Sequence, residues 1–144
     1  MSRKEFAITE AEWEVMKVIW SNDYVTSREV IEILNHKTNW SVSTVKTLLA
    51  RLVDKTYLST EKNGKQFIYR ATVNEEEAIN NLLAIDIEKI CQKKKGKMIY
   101  QLIKEQELSQ QDIKDLQELL NEKIKTAPLD LACNCAVGQC NCHK

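Results

Sequence analysis

Residues 41–70 decide the fold, and their sequence is SVSTVKTLLARLVDKTYLSTEKNGKQFIYR. The first half predicts a helix that has Ser41 as its N-cap and runs to about Lys55. The aliphatic residues that recur there at helical spacing are Val42, Val45, Leu48, Leu49, Leu52 and Val53. The second half predicts a β-hairpin around Asn63-Gly64, a pair favoured in tight type I′ turns because both central positions need a positive φ.

Two more helices are predicted ahead of this segment. Thr9 and Glu12 fit a capping box that begins a helix running to Trp20, and Ser27 is the expected N-cap of a second helix. Three helices followed by a hairpin are the arrangement of a winged helix-turn-helix. We therefore expect residues 1–73 to form a winged-helix DNA-binding domain, in a protein that is mainly α with a small β-hairpin wing.

The second half of the chain predicts amphipathic helices. Asn74 caps a long helix that ends near Gly96, a short helix spans about residues 97–105, and Ser109 begins the last helix. These helices are too few and too amphipathic for a second globular core, so we expect residues 74–126 to pair with another copy of the chain as a dimerisation domain. The apolar residues expected at this homodimer interface are Ile79, Leu82, Leu83, Ile87, Ile90, Leu102, Ile113, Leu116 and Leu120.

The helix that begins at Ser41 is the candidate for reading DNA, because the second helix of a helix-turn-helix enters the major groove. Its face opposite the aliphatic stripe offers hydroxyls, which can bond bases or phosphates, and cations, which can neutralise phosphates. Lysines at the hairpin tip can reach the adjoining DNA backbone. The predicted contacts to double-stranded DNA are Ser41, Ser43, Thr44, Lys46, Thr47, Arg51, Lys62 and Lys65.

A purely structural interpretation of these residues stays open. A helix start rich in serine and threonine is commonly only a cap, and surface lysines are commonly only solvated. Charge is a weak guide, since the chain has 21 basic and 21 acidic residues, and residues 1–73 have 11 basic against 9 acidic. The order of the helices and the Asn-Gly hairpin is what favours DNA binding.

Four of the five cysteines crowd the end of the chain in the pattern C-x-C-x4-C-x-C, at Cys133, Cys135, Cys140 and Cys142. We call residues 133–142 the cysteine hook. Four thiolates so close together can converge on one ion, and Gly138 eases the turn between the two pairs. An all-thiolate set suits zinc, and soft thiolates also favour cuprous ion. The hook is therefore a predicted metal site, with a structural zinc staple or a disulfide-prone tail as alternatives to a sensor.

Two other candidate donors lie outside the four-cysteine pattern. Cys91 falls on or near the apolar side of its helix, so we interpret it as core packing rather than as a ligand. His143 adjoins the hook and can act as a further donor, although a lone histidine in a tail is more often solvated. Pro128 separates the tail, residues 127–144, from the helices, and this position outside any core favours a sensor because ions exchange easily there.

The composition is that of an ordinary globular protein, with 43% hydrophobic and 29% charged residues. No apolar run approaches the roughly 20 residues that a membrane span requires. The opening residues MSRKE lack the apolar run of a signal peptide, so we expect a cytoplasmic protein with no membrane partner. No C-x-x-C pair or cofactor motif supports an oxidoreductase, and no enzymatic activity is expected.

Several of these segments together resemble the penicillinase repressor family and, within it, the copper-responsive repressors of the CopY type. The resemblance covers nearly the whole chain. Its carriers are TEAEWEVM (9–16), VIW (18–20), STVKTLLARL (43–52), FIY (67–69) and the cysteine hook. The hook is what separates the copper branch of the family from the β-lactam branch, whose repressors are BlaI and MecI.

The resemblance implies a homodimer that binds a palindromic operator, with TACA…TGTA-like halves, ahead of copper-export genes. It implies that the form loaded with Zn(II) at the cysteine hook represses transcription. It also implies that Cu(I), delivered by a copper chaperone, displaces the zinc and releases the DNA.

Two other functions are compatible with the same residues. In the first, the protein is a copper or zinc buffer or chaperone whose winged domain mediates protein contacts. In the second, it is a β-lactam-type repressor that proteolysis in the C-terminal helices inactivates. Nothing in the sequence marks a cleavable bond, and the cysteine hook makes this second route the less favoured one.

Overall fold

The computed structural model describes residues 7–82 and 84–142. Spatial packing divides the chain into two compact units, residues 1–85 and 86–144. The predicted functional boundaries after residues 73 and 126 stay predictions. None of the described helices combines the length and the apolar content needed to cross a membrane.

The first unit is a winged helix-turn-helix, as the sequence predicts. A three-stranded antiparallel sheet of order β1-β3-β2 joins three helices, and a fourth helix follows it. The elements in chain order are α1 Glu10–Trp20, β1 Val25–Thr26, α2 Ser27–Asn35, α3 Val42–Asp54, β2 Leu58–Asn63, β3 Gln66–Ala71 and α4 Glu75–Leu82.

The core of this unit is built from the apolar sides of the three helices. Val15, Met16 and Ile19 of α1 are buried together with Leu49 and Leu52 of α3. Burial of one such side chain contributes roughly 1.5–3 kcal/mol relative to its exposure to water. Val45 and Leu48 of α3 are buried as well, whereas Val42, at the start of the predicted stripe, is exposed. The side of α3 opposite its buried residues must face the solvent.

The helix starts follow the capping residues with one shift. Thr9 forms the predicted capping box with Glu12, and Ser41 caps α3 by accepting from the Thr44 N–H. The cap of α2 is Thr26 rather than the predicted Ser27, because the Thr26 hydroxyl accepts from the Glu29 N–H. Thr26 also ends β1, a two-residue strand that the sequence analysis did not predict.

The hairpin is present, but its turn differs from the type I′ turn expected. The strands pair up to Asn63 and Gln66, so the two loop residues are Gly64 and Lys65. Gly64 has a φ of 66°, whereas Thr56 is the only described non-glycine residue with a positive φ. The loop therefore needs one left-handed residue at its first central position, which is typical of a type II′ turn led by glycine.

The second unit is built from short helices. They are α5 Ala84–Glu88 at its boundary, a 3-10 turn Gln92–Lys94, α6 Lys95–Glu105 and α7 Gln110–Lys123. Ser109 caps α7 by accepting from the Asp112 N–H, as predicted.

The long helix expected to end at Gly96 is wrong in its C-terminal part. Its helical backbone stops at Glu88, Cys91 is extended with φ −49° and ψ 132°, and Gly96 lies inside α6. The freed N–H of Gln92 donates to the side chain of Asn134 at 3.0 Å. A tertiary partner 42 residues away thus satisfies a backbone group that the helix would otherwise have paired.

Glu12 is a buried acid in the described part of the first unit. Its Oε1 accepts from the Thr9 N–H at 3.0 Å and from the Lys55 Nζ at 2.7 Å, and its side chain is 0% exposed. Lys55 also donates to the Ala7 carbonyl at 3.0 Å. Burial raises the pKa of Glu12, but the bonds from Lys55 and Thr9 outweigh burial and hold the pKa below its ordinary value. The carboxylate therefore links the start of α1 to the end of α3.

We expect Glu12→Gln to lower the free energy of unfolding by roughly 1–3 kcal/mol at neutral pH, since a buried charge-assisted bond is weakened. Because folding lowers the pKa of Glu12, its stabilising effect is present above the unfolded pKa and is lost as pH falls through the folded one. Urea denaturation at neutral and acidic pH measures both effects. Glu10→Gln, at an exposed position in the same turn, is the control. An equal loss of unfolding free energy in the two variants would contradict the stabilising role of the Glu12 carboxylate. A difference between the variants that persists in acid would contradict it as well.

Candidate functional site

The cysteine hook folds back on itself after α7. Gly138 has a φ of 94°, and the Gln139 N–H donates to the Ala136 carbonyl at 3.0 Å, which closes a turn between the two cysteine pairs. The Gln139 side chain accepts from the Ala136 N–H at 2.7 Å and reinforces that turn. As a result the sulfurs of Cys133 and Cys140 lie 3.2 Å apart.

A fifth cysteine from outside the hook joins this group. The Sγ of Cys91 lies 3.5 Å from that of Cys133 and 3.4 Å from that of Cys142. The sulfurs of Cys91, Cys133, Cys135 and Cys140 all lie within 4.8 Å of one another. We call these four residues and Cys142 the five-sulfur cluster.

The donor set and its spacing fit a soft metal ion. Zinc bound to four thiolates at about 2.3 Å in tetrahedral geometry places neighbouring sulfurs roughly 3.8 Å apart. The sulfur separations of 3.2–3.5 Å and the 4.8 Å limit bracket this value. Four cysteines of the cluster can therefore hold a metal ion with little rearrangement.

The cysteines of the cluster differ in their pKa values. The Lys93 backbone N–H, with help from neighbouring thiols, lowers the pKa of Cys91 to about 6. The sulfur of Cys91 in turn raises the pKa of Cys135 and that of Cys142 to about 12. Metal binding requires thiolates, so an ion bound by the cluster would displace the protons of its thiols.

The cluster differs from the four-cysteine set that the spacing suggested. The structure brings Cys133, Cys135 and Cys140 together as expected, and Cys142 lies beside Cys91. Cys91 is buried as expected, at 8% exposure, but its sulfur faces other sulfurs, which the interpretation as core packing missed. No motif could have revealed this, because 42 residues separate Cys91 from Cys133. His143 lies outside the described residues.

The exposed face of α3 carries the polar residues predicted to contact DNA. Ser43, Thr44, Thr47 and Arg51 line one shallow depression there, together with Leu48. Two of the hydroxyls near this depression also form hydrogen bonds with the backbone of α3. The Thr47 hydroxyl donates to the Ser43 carbonyl at 2.9 Å, and Ser41 accepts from the Thr44 N–H at 3.2 Å.

A second depression joins α3 to the wing. It has a volume of about 410 Å³ and brings Lys46 of α3 and Lys65 of the hairpin loop together with Arg28 of α2. Among the described residues no carboxylate lines it, so we call it the basic groove. Arg28 was absent from the predicted contacts, since only the packing of α2 reveals its position. Lys62 is exposed on β2 and does not line the groove.

The helices of the second half leave apolar side chains uncovered. No residue of α6 or α7, all of which are described, is buried. Of the residues predicted at a dimer interface, Leu83 lies outside the described part of the chain and the others divide into two groups. The exposed ones are Ile79, Leu82, Leu102, Ile113 and Leu120. The half-buried ones are Ile87, Ile90 and Leu116.

Comparison with known proteins matches residues 8–122 to the model of the family described as penicillinase repressor. The chain belongs to the penicillinase repressor family. It is therefore a DNA-binding transcriptional repressor and not an enzyme. The match ends before the cysteine hook, so the hook and its sulfurs lie beyond the region that this family model matches.

Three relatives show how far the similarity extends. An uncharacterized 16.5 kDa protein in the ptsI 3′ region of Latilactobacillus sakei is 46% identical over 144 residues, covering 100% of this chain and 99% of that protein. The methicillin resistance regulatory protein MecI of Mammaliicoccus sciuri is 31% identical over 123 residues, covering 85% of this chain and 100% of MecI. The solved structure of Bacillus licheniformis BlaI, a monomeric form in complex with the blaP half-operator, is 39% identical, with 49% of this chain and 87% of that chain covered at a TM-score of 0.45.

Ser41 caps α3 in the structure and is also a predicted DNA contact. The stability of the protein without DNA tests the cap alone. Because its side chain accepts from the Thr44 N–H, we expect Ser41→Ala to lower the free energy of unfolding by about 1 kcal/mol in the absence of DNA. Ser43→Ala, at an exposed position two residues on, should change it by less than about 0.5 kcal/mol. Thermal denaturation measures both changes. An unchanged stability for Ser41→Ala would show that the Ser41 side chain does not stabilise the start of α3.

Proposed function

We propose that this repressor controls copper-export genes in response to copper. Its zinc-loaded form binds a palindromic operator as a dimer and represses transcription, and cuprous ion displaces the zinc and releases the DNA. A copper chaperone is the proposed donor of the cuprous ion. The single observation that carries the proposal is the cluster of cysteine sulfurs within 4.8 Å of one another, built largely from a segment beyond the family match.

The proposed operator contacts rest on the surface of α3 and the wing. Hydroxyls and Arg51 on one depression are suited to base edges and phosphates, and the basic groove supplies three further cations to the phosphate backbone. α3 is the second helix of the helix-turn-helix, which is the one that enters the major groove in this class of protein. Lys62 on β2 is proposed to reach the DNA backbone beside it.

The proposed homodimer rests on the uncovered apolar side chains of the second half. Leu120 of α7 is 56% exposed and Leu102 of α6 is 41% exposed in a single chain. Exposed aliphatic residues in this number are unfavourable unless another surface covers them. A second copy of the chain would cover them symmetrically and would space two winged units for the two halves of a palindrome.

Exchange between zinc and copper is consistent with the chemistry of the donors. Zinc takes four thiolates in a closed tetrahedral site, whereas cuprous ion favours soft thiolates and need not keep that geometry. A change of ion can alter DNA binding only if the two forms interact differently with the DNA-competent conformation. A coupling free energy of about 1–3 kcal/mol corresponds to roughly a 5–150-fold change in operator affinity.

A second candidate is suggested by the relatives named as penicillinase repressor and MecI, which regulate resistance to β-lactams according to their names. In that case proteolysis in the C-terminal helices, and not copper, would inactivate the repressor. A buffer or chaperone function is the remaining alternative. Gel shifts on promoter fragments distinguish them, because a buffer has no operator preference and a protease-controlled repressor keeps its operator when copper is added.

The cysteine hook is tested by a variant in which Cys133, Cys135, Cys140 and Cys142 are all changed to Ser. We expect copper to leave the operator affinity of this variant unchanged, whereas copper should lower the operator affinity of the wild type by roughly 5–150-fold. Fluorescence anisotropy with a labelled operator duplex gives the ratio of dissociation constants with and without copper. Asn141→Ser, which alters the hook but keeps every sulfur, is the matched control. If the four-serine variant still leaves the DNA on copper addition, the hook is not the sensor.

Lys46 in the basic groove tests the DNA surface. We expect Lys46→Ala to weaken operator binding and to reduce the slope of log affinity against log salt concentration by about 0.9, the value for one lost phosphate contact. Lys17→Ala makes the same change in net charge on α1, where Lys17 pairs with Glu14 at 3.1 Å, and it should keep the wild-type slope. Identical slopes for the two variants would remove Lys46 from the phosphate contacts.

A further inference from the structure

Cys91 is the one sulfur of the cluster that lies outside the cysteine hook. It precedes the 3-10 turn Gln92–Lys94, and its extended backbone turns the chain out of helical conformation. Its sulfur lies within 3.5 Å of the sulfurs of Cys133 and Cys142. The group of four sulfurs that are mutually within 4.8 Å includes Cys91 and leaves out Cys142.

Contacts other than sulfur hold the tail against the same short stretch. The Gln92 N–H donates to the Asn134 side chain at 3.0 Å, next to Cys133 in the sequence. Lys93 forms an ion pair with Asp130 at 3.3 Å. The approach of the hook to Cys91 therefore has three kinds of support: a sulfur cluster, a hydrogen bond to the backbone and an ion pair.

The charge near Cys91 suits an anionic metal site. A divalent ion bound by four thiolates carries a net negative charge. Three consecutive lysines, residues 93–95, follow Cys91 within four positions of the chain.

We propose that Cys91 is a ligand of the metal centre, so that Cys91, Cys133, Cys135 and Cys140 hold the zinc ion and Cys142 stays outside its first coordination sphere. The inference rests on the proposed metal site of the hook and adds a ligand that the hook pattern does not contain. Ligation by Cys91 would also let the metal connect two distant segments of the chain. Zinc fixes residues 133–140 to Cys91, five residues after the boundary of the second unit.

Five sulfurs exceed the four that one zinc ion takes, so Cys142 remains available when the ion changes. Its sulfur is 3.4 Å from that of Cys91, close enough for both to serve neighbouring ions in a sulfur-bridged arrangement. Soft cuprous ions are the ions that such thiolates favour. Release of the zinc geometry would then alter the link between the hook and Cys91, and metal exchange acts on the protein through that link.

The test uses the full-length wild-type protein, with zinc and after its removal by chelation under reducing conditions. Exposed thiols are alkylated for increasing times, the remaining thiols are labelled with a heavy form of the same reagent, and the digest is analysed by tandem mass spectrometry. Cleavage after lysine separates Cys91, in residues 90–93, from the hook cysteines in residues 126–144. We expect zinc to slow alkylation of Cys91 at least tenfold, as for Cys133, Cys135 and Cys140, and to slow Cys142 less.

Cobalt(II), added alone as a spectroscopic substitute for zinc, separates ligation from simple burial of Cys91. We expect Cys142→Ser to keep the thiolate-to-cobalt charge-transfer absorption of a four-thiolate site. Adding Cys91→Ser to Cys142→Ser should remove about a quarter of that absorption, because no spare sulfur is left to replace Cys91. Circular dichroism of the metal-free variants checks their folding, and if the double variant does not fold, Cys142→Ser and the wild-type alkylation decide.

The outcomes distinguish this inference from the proposed function. If zinc protects the hook cysteines, Cys142 included, but leaves the alkylation of Cys91 unchanged, the assignment of Cys91 as a ligand is wrong while the metal site of the hook stands. A loss of cobalt absorption in Cys142→Ser, with no further loss when Cys91→Ser is added, leads to the same conclusion. If zinc protects no cysteine of the wild type, both this inference and the proposed metal response fail.

Discussion

Packing of the aliphatic side of α3 against α1 and α2 is the interaction on which the first unit depends. Val45, Leu48, Leu49 and Leu52 are all buried, so the rotation of α3 about its axis is fixed by the core. The same constraint turns Ser43, Thr44, Lys46, Thr47 and Arg51 to the solvent. The exposure of the surface proposed to contact DNA is therefore a consequence of core packing. The ion pair of Glu12 with Lys55 holds the end of that helix to the start of α1.

Contacts between cysteine sulfurs connect distant segments in the second unit, whereas apolar side chains do so in the first. Helices α6 and α7 bury none of their residues. Residues 130–142 are instead joined to residues 91–93 by sulfur contacts, one hydrogen bond and one ion pair. A metal ion bound by these sulfurs would contribute folding free energy to a region that has little core of its own. In the proposed function, this contribution makes the conformation of the second unit depend on which ion is bound.

The sequence predicted several features that depend on interactions between residues close together in the chain. The capping residues Thr9, Ser41 and Ser109, the stripe of α3 and the glycine of the hairpin all act within a few residues of themselves, and the sequence located each of them. Contacts between distant segments were not accessible in the same way. The position of Arg28 beside Lys46 depends on how α2 packs. The early end of the helix at Glu88 and the approach of Cys91 to the hook depend on a tail more than 40 residues away, and no periodicity encodes that pairing.

The central claim is that the ion bound by the cysteine sulfurs determines the affinity of the winged helix-turn-helix units for their operator. The most direct test measures the dissociation constant of one operator duplex with a single preparation of the full-length protein, loaded with zinc, loaded with cuprous ion, or stripped of metal. The account predicts tight binding for the zinc form and binding weaker by roughly 5–150-fold for the cuprous form, at constant salt. Equal dissociation constants for the zinc and cuprous forms would contradict it.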